Sequence, residues 1–388
     1  MPTTPSHREK TRDELLRLIR TGGGMTRADL ARSSGMSRSA VNGAVATLLA
    51  EGRITEVETE QKGPGTGSGR PGVKLVAIGG PVAGLDFGHN HLHVAIADTF
   101  GRIVGDRRVD IDVDLAATEA MDAAADLLEG LRRELGLDSV EAVVAGIPGP
   151  VDVRTGLVQS PTILSGWVGR SPAEELTRRI GVPVHVENDA ALGAMGELYA
   201  GAGRSHEHFL YVKASHGIGA ALVLGGALYR GGTGLAGEIG HTNLPGSTEL
   251  CRCGSRGCLE AVVSVDYIRE QVAHTHPGLA AEEIPLDDDA DSVSRRILED
   301  SGRILGRVIS VLCNLVNPTA VVVGGELGSS NNCFVEGVDE AVQRYTLPAA
   351  AEELVVTRAE LGTSAELRGA IELAVRSPVP AYGAGASH

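Results

Sequence analysis

Hydrophobic positions change their rhythm near residue 80. Before it, the spacing predicts three helices and a hairpin. The stretch 11–20 sets Leu15, Leu16, Leu18 and Ile19 on one broad face. After Gly22-Gly23-Gly24, Thr26 caps a short helix to Arg32 that carries Ala28, Leu30 and Ala31. Ser34-Gly35-Met36 makes a turn, and Ser37 caps a longer helix, 38–50, with Val41, Val45, Leu48 and Leu49 inward. Gly52 ends it, and 54–57 and 74–78 pair as a wing. Two short helices joined by a Gly-containing turn, followed by a two-stranded wing, form the winged helix-turn-helix pattern.

From Pro81 the texture is that of alternating strands and helices. Strands are expected at 82–87, 91–97 and 103–109, then a helix at 115–135, a buried strand at 140–147, a strand at 184–187 and a helix at 189–199. The order then repeats with strands at 209–214, 220–224 and 227–229, helices, and a strand at 320–323. Two similar α/β lobes, each opening on a meander, predict an actin-like duplication with ligands bound between the lobes.

Charge sharpens this division. The whole chain of 388 residues sums to −15, which argues against a nucleic-acid partner until the chain is cut at residue 80. Residues 1–80 carry 12 basic and 8 acidic side chains, a sum of +4, whereas the other 308 carry 23 and 42, a sum of −19. A mildly basic head sits on an acidic body. On the head, Arg38, Ser39 and Asn42 open the second helix, where base edges and phosphates are reached, and Arg70 in Gly69-Arg70-Pro71 resembles a minor-groove arm. A helical bundle for protein contacts, and an ordinary linker around Arg70, stay open as alternatives. No apolar run reaches about 18 residues and MPTTPSHREK has no apolar leader, so a cytoplasmic location and no membrane partner are expected. Glycine, 52 residues, is in excess and implies tight turns and close backbone approaches.

Two constellations carry chemistry. Cys251, Cys253 and Cys258 follow His241 closely, and three thiols with one imidazole suit structural zinc; unmetallated thiols in a Gly-rich loop are the alternative. Asn188-Asp189 lies where a strand meets a helix, and Glu238 and His241 are three apart, on one face if helical. Carboxylates and amides converging on a cleft suit a polyhydroxylated ligand, and Asp189 is a candidate general base. A helix cap for Asp189 and a solvated carboxylate for Glu238 stay open. Cys313 reads as packing, Trp167 as packing or cleft lining, and 377–388 as a tail.

These residues resemble the ROK family of sugar kinases and sugar-responsive repressors. The likeness rests on the winged head, Gly69-Arg70-Pro71, Gly146–Gly149, Glu187-Asn188-Asp189-Ala190, Glu238–His241 and the Cys/Gly block through Glu260. It implies zinc on His241, Cys251, Cys253 and Cys258, and sugar contacts from Gly149, Asn188, Asp189, Glu238, His241 and Glu260. It also implies that Asp189 matches the catalytic base of the kinases. The family's phosphate motifs are altered, however. Asp-x-Gly-Gly-Thr-Lys reads Asp86-Phe87-Gly88-His89-Asn90-His91, and Gly-Thr-Gly-Ile-Gly-Gly-Gly reads Ser215-His216-Gly217-Ile218-Gly219-Ala220-Ala221. Imidazoles at His89 and His216 crowd loops that work by bare backbone N–H groups, so ATP binding is not expected.

The expectation is therefore an α/β protein. A winged head and linker fill 1–80, and a first lobe spans 81–188, completed by a helix at 364–376. A second lobe spans 189–363, with the zinc loop at 238–260. Its expected role is a sugar-responsive, DNA-binding repressor that meets operator DNA as a homodimer or dimer of dimers. An ATP-dependent sugar kinase is the alternative, with a zinc-stabilised sugar-binding module behind it.

Overall fold

The computed structural model describes residues 11–58, 73–152, 155–158, 164–280 and 284–376, except 13, 17 and 20–23. Gly69-Arg70-Pro71 and the tail 377–388 lie outside the described residues.

The head folds as its capping residues dictate. Helix α1 (Arg27–Ser34) starts on a reciprocal box in which Thr26 and Asp29 satisfy each other's backbone N–H, and it stops at Gly35, held at φ 67°. Helix α2 (Arg38–Ala50) is capped by Ser37. Strands β1 (Ile54–Glu58) and β2 (Val73–Ala77) pair antiparallel as the wing. Leu15, Leu16 and Ile19 join Leu30, Val41, Val45, Leu48, Ile54 and Leu75 in one small core.

In the body, the described residues form two five-stranded sheets of the same design. The first runs β5–β4–β3–β6–β7, from β3 (Val82–Phe87), β4 (His91–Ala97), β5 (Ile103–Asp110), β6 (Ala142–Ile147) and β7 (Val184–Asn188). The second runs β10–β9–β8–β11–β12, from β8 (Phe209–Ala214), β9 (Ile218–Leu224), β10 (Ala227–Tyr229), β11 (Ala320–Gly324) and β12 (Val355–Arg358). Each is an antiparallel meander with two parallel strands added. The parallel strands β3, β6 and β11 are buried along their whole length, which explains their unbroken apolar runs. Strand β5, at an edge, is mostly exposed and charged.

Helices α3 (Ala117–Glu134) and α4 (Pro172–Ile180) cover one face of the first sheet, while α6 (Ser292–Val316) and α7 (Asn332–Tyr345) cover one face of the second. Between the sheets lie α5 (Asp189–Ala200) and the C-terminal helix α8 (Ala365–Arg376). These two cross in backbone contact. A Cβ on Gly369 would stand 1.8 Å from the Leu192 carbonyl oxygen, and one on Gly196 would stand 2.3 Å from that of Ala365. Part of the glycine excess therefore serves helix crossings. Trp167 is fully buried, its indole N–H donating to the Val113 carbonyl at 2.7 Å, so it packs and does not line a cleft. Cys313 is likewise buried, as is Cys333, in the first turn of α7 beside Arg295.

Candidate sugar cleft and metal centre

The cleft opens between the lobes at the carboxyl ends of the parallel strands, where α/β folds place ligands. Its cavity volume is about 310 Å³, room for a small polar molecule. Gly149 follows β6, Asn188 ends β7 and Asp189 begins α5. Glu238 and His241 come from the turn after β10, and Glu260 from the short helix Glu260–Val263. All six residues line this one cavity.

Local hydrogen bonds fix their roles. Asn188, not Asp189, caps α5: its Oδ1 accepts from Ala191 N at 3.1 Å while its amide donates to the Gly149 carbonyl at 3.1 Å. Asp189 is left facing the cavity with both oxygens engaged, one by Ala190 N at 2.7 Å and the other by Lys213 Nζ at 2.8 Å. Glu260 accepts from Ile218 N at 3.0 Å, which ties this cleft carboxylate to the second phosphate-type loop. Glu238 and His241 do not share a regular helix. Glu238 precedes the 3-10 turn Ile239–His241, with 3.9 Å between its carboxylate and His241 Nε2. Burial, with Asp189 and Glu260 close by, pushes the Glu238 carboxyl up to about 7.

Lys213 is the residue that motif reading missed. Its ammonium bridges Asp189 at 2.8 Å and Glu366 at 3.4 Å on the cleft floor. Burial opposes its charge, but Asp189, Glu366 and Asp86 outweigh burial and hold its pKa above the ordinary lysine value. One signal was available: Lys213 is the single lysine among residues 81–388 and interrupts the apolar strand Phe-Leu-Tyr-Val-Lys-Ala.

Three carboxylates on one ammonium leave an excess of negative charge. Burial first, then Asp86 and Asp189, push Glu366 up to about 7 against the pull of Lys213. A carboxyl raised on folding favours the protonated form, so its stabilising contribution is complete below about pH 4.5 and lost as pH rises through about 7. Thermal melts of the wild type and Glu366→Gln from pH 5 to 8 are expected to diverge in the variant's favour toward pH 8. Parallel curves would contradict this balance.

The two phosphate-type loops are covered by imidazoles. His91 lies over Gly88, so that a Cβ there would stand 2.1 Å from the ring, and its Nε2 is 3.3 Å from the buried Asp86. His89 and His216 face each other with ring centres 6.3 Å apart, each backed by a carboxylate: Asp114 at 2.7 Å and Asp266 at 2.9 Å. Arg252 reaches across the cleft, donating to Asp114 at 3.4 Å and to the His216 carbonyl at 3.2 Å. Sequence reading singled out His89 and His216 but not His91 or Arg252.

Beside the cleft, ligand atoms of His241, Cys251, Cys253 and Cys258 all lie within 4.8 Å of one another. The Cys253 and Cys258 sulfurs are 3.7 Å apart, and Cys251 Sγ is 3.7 Å from His241 Nδ1. A zinc tetrahedron with Zn–S arms of about 2.3 Å has edges of about 3.8 Å, so these two edges match it, and with the remaining donor pairs within 4.8 Å the set is close enough to gather around one ion. His241 turns Nδ1 to the thiols and Nε2 toward Glu238 and the cavity.

On the head, Arg38, Ser39 and Asn42 are all exposed at the start of α2. Arg70 lies outside the described residues.

A winged head joined to a duplicated α/β body with an interlobe cleft and a Cys₃His loop defines the class. The ROK family model matches residues 82–377, and a winged helix-turn-helix DNA-binding model matches residues 8–55. The chain belongs to the ROK family. It is similar to the DNA-binding transcriptional repressor Mlc of Escherichia coli, at 24% identity over 91% of this chain and 90% of the relative. It is also similar to the xylose repressor of Bacillus subtilis, at 27% over 92% of each. Among solved structures, a ROK family transcriptional regulator homologous to E. coli Mlc superimposes with a TM-score of 0.75 at 23% identity, covering 96% of this chain and 98% of that one; this shows the shared fold. Among the described residues no helix is long and apolar enough to cross a membrane.

Proposed function

We propose that the chain is a sugar-responsive transcriptional repressor of the ROK family. The observation that carries this is the presence in one chain of a winged head and a cleft lined by Asn188, Asp189, Glu238, His241 and Glu260. Each sugar hydroxyl donates one hydrogen bond and accepts others, and this mixed set of amide, imidazole and carboxylates answers both. Gly149 lets the ligand approach the backbone. The relatives are named repressors, one of them for xylose.

We take the domain units to be the head to residue 80, a first lobe at 81–188 completed by the helix 364–376, and a second lobe at 189–363. Arg38, Ser39 and Asn42, with Arg70 from the linker, are the DNA-contacting residues. A homodimer, or a dimer of dimers, sets two heads on a two-fold operator. Such a protein works in the cytoplasm, where the chromosome is. His241, Cys251, Cys253 and Cys258 hold a structural zinc; with four protein donors, no position is left for a reacting water. His241 couples the metal loop to the sugar through its second nitrogen.

The kinase alternative assigns Asp189 as base. Against it, His91, His89 and His216 cover the loops on which ATP phosphates would rest. A coupled ADP-release assay with glucose, xylose and N-acetylglucosamine is expected to show no turnover.

The direct test is a gel shift at low salt with duplexes that the protein selects from a random library, repeated with the same three sugars. A retarded band released by one sugar is expected, with Arg38→Ala weakening the band. Absence of any retarded band at low salt would end the proposal.

A further inference from the structure

The C-terminal helix α8 connects the cleft to the head. Its first turn sits on the cleft floor, where Glu366 lies 3.4 Å from Lys213 Nζ, and through that ammonium it meets Asp189. Its last carbonyl, on Arg376, accepts a hydrogen bond from Arg53 Nη2 of the head at 3.1 Å. Arg53 immediately precedes the wing strand β1, and its own carbonyl accepts from the N–H of Ile78, which follows β2 at the same, open end of the wing.

The helix also spans the boundary between the lobes. Ala365 packs in the cluster formed by Tyr211, Val223 and Val322 of the second sheet. Ala370, Ile371, Leu373 and Val375 pack against Val82, Ala97 and Val144 of the first. Its crossing with α5 at Gly369 and Gly196 leaves no slack, because backbone meets backbone there. At the far end the Arg376 guanidinium lies 3.6 Å from the centre of the Tyr199 ring and 3.0 Å from Glu372, which fixes the terminus that holds Arg53. A helix of twelve residues is about 18 Å long, so a tilt of about 10° at the cleft end moves the head end by about 3 Å.

We propose that α8 is the lever that carries the state of the sugar cleft to the DNA-binding head, read in through Glu366 and Lys213 and read out through Arg53. The proposal rests on the sugar-responsive reading for its purpose, but the mechanical link it names is a property of the free protein. A ligand that takes a hydrogen bond from Lys213, or adds a donor to Asp189, changes the hold on Glu366. The tilt of α8 follows, and with it the position of the wing.

Hydrogen exchange on the ligand-free full chain tests the link with neither sugar nor operator. Glu366→Gln is expected to change exchange in the wing peptides 54–58 and 73–77 by at least about threefold. Arg53→Ala is expected to disconnect the head, so that the double variant shows the same wing exchange as Arg53→Ala alone. If Glu366→Gln does not fold, Glu366→Asp, which keeps the charge and shortens its reach, takes its place. Wing exchange unaltered by the cleft substitution, or effects of the two substitutions that simply multiply, would overturn the proposal. The sugar-responsive reading fails separately, in the gel shift.

Discussion

Lys213→Met is expected to destabilise the protein by about 3–5 kcal/mol near pH 8, the cost of stranding a buried charge whose partner is removed. The substitution strips the ammonium from Asp189 and Glu366, both buried, with buried Asp86 nearby. Without it nothing offsets burial and the neighbouring carboxylates at Glu366, so its carboxyl climbs above the value of about 7 that it already has. Acid therefore relieves part of the defect: at pH 5 the stranded Glu366 is protonated and its share of the loss disappears. Denaturant unfolding at the two pH values measures both figures, and Lys213→Met combined with Glu366→Gln is expected to recover part of the loss at pH 8. A deficit below about 1 kcal/mol, or one equal at both pH values, would contradict a structural role for this ammonium.

Cys253→Ser is the second large effect. The wild type is expected to carry about one zinc per chain by elemental analysis and the variant none. Removing one of four donors opens a closed tetrahedral set, and the binding free energy of a structural zinc is folding free energy for the loop around it. The fall in Tm is expected to be about 5 °C, since a few kcal/mol shifts a body of this size by about that much. A chelator should reproduce it in the wild type. The damage reaches the cleft, because the loop holds His241 by its Nδ1 side and Leu259, beside Glu260, donates its N–H to the Thr242 carbonyl. A fully folded, metal-free wild type would refute the zinc assignment.

How much of this was legible beforehand depends on how far apart the interacting residues lie. The head was legible because its signals are local: Thr26 with Asp29, Gly35 and Ser37 each act within one turn of the helix they start or stop. The Cys₃His set was legible because its spacing brings the ligands together with little help from the rest of the fold. The repeated meander was legible from apolar runs, although the edge strand β12, half exposed and short, gave no such run. The cleft floor was not legible. Lys213 and Glu366 are 153 positions apart, and only the assembled sheets set them side by side. His91 over Gly88 was missed although the two are only three positions apart, because the tight turn between β3 and β4, not the motif, turns the ring inward. Glu238 and His241 converge through a 3-10 turn, which a three-residue spacing does not distinguish from a helix face.

The charge division keeps its meaning in the structure. A head of +4 is only mildly attracted to DNA, so the proposed pairing of two heads on one symmetric site would supply firm binding, and that binding should weaken steeply with salt. The body, at −19, should contribute repulsion, so the proposed recognition surface is the exposed start of α2.

The central claim is that sugar in the cleft changes the affinity of the head for DNA. Fluorescence anisotropy with a selected operator duplex, at fixed salt, measures Kd with and without a saturating sugar that raises the Tm. The account predicts a change of about 5- to 150-fold, the usual range for coupled sites, abolished by Asp189→Ala. An operator Kd that stays the same while the sugar is demonstrably bound would contradict it.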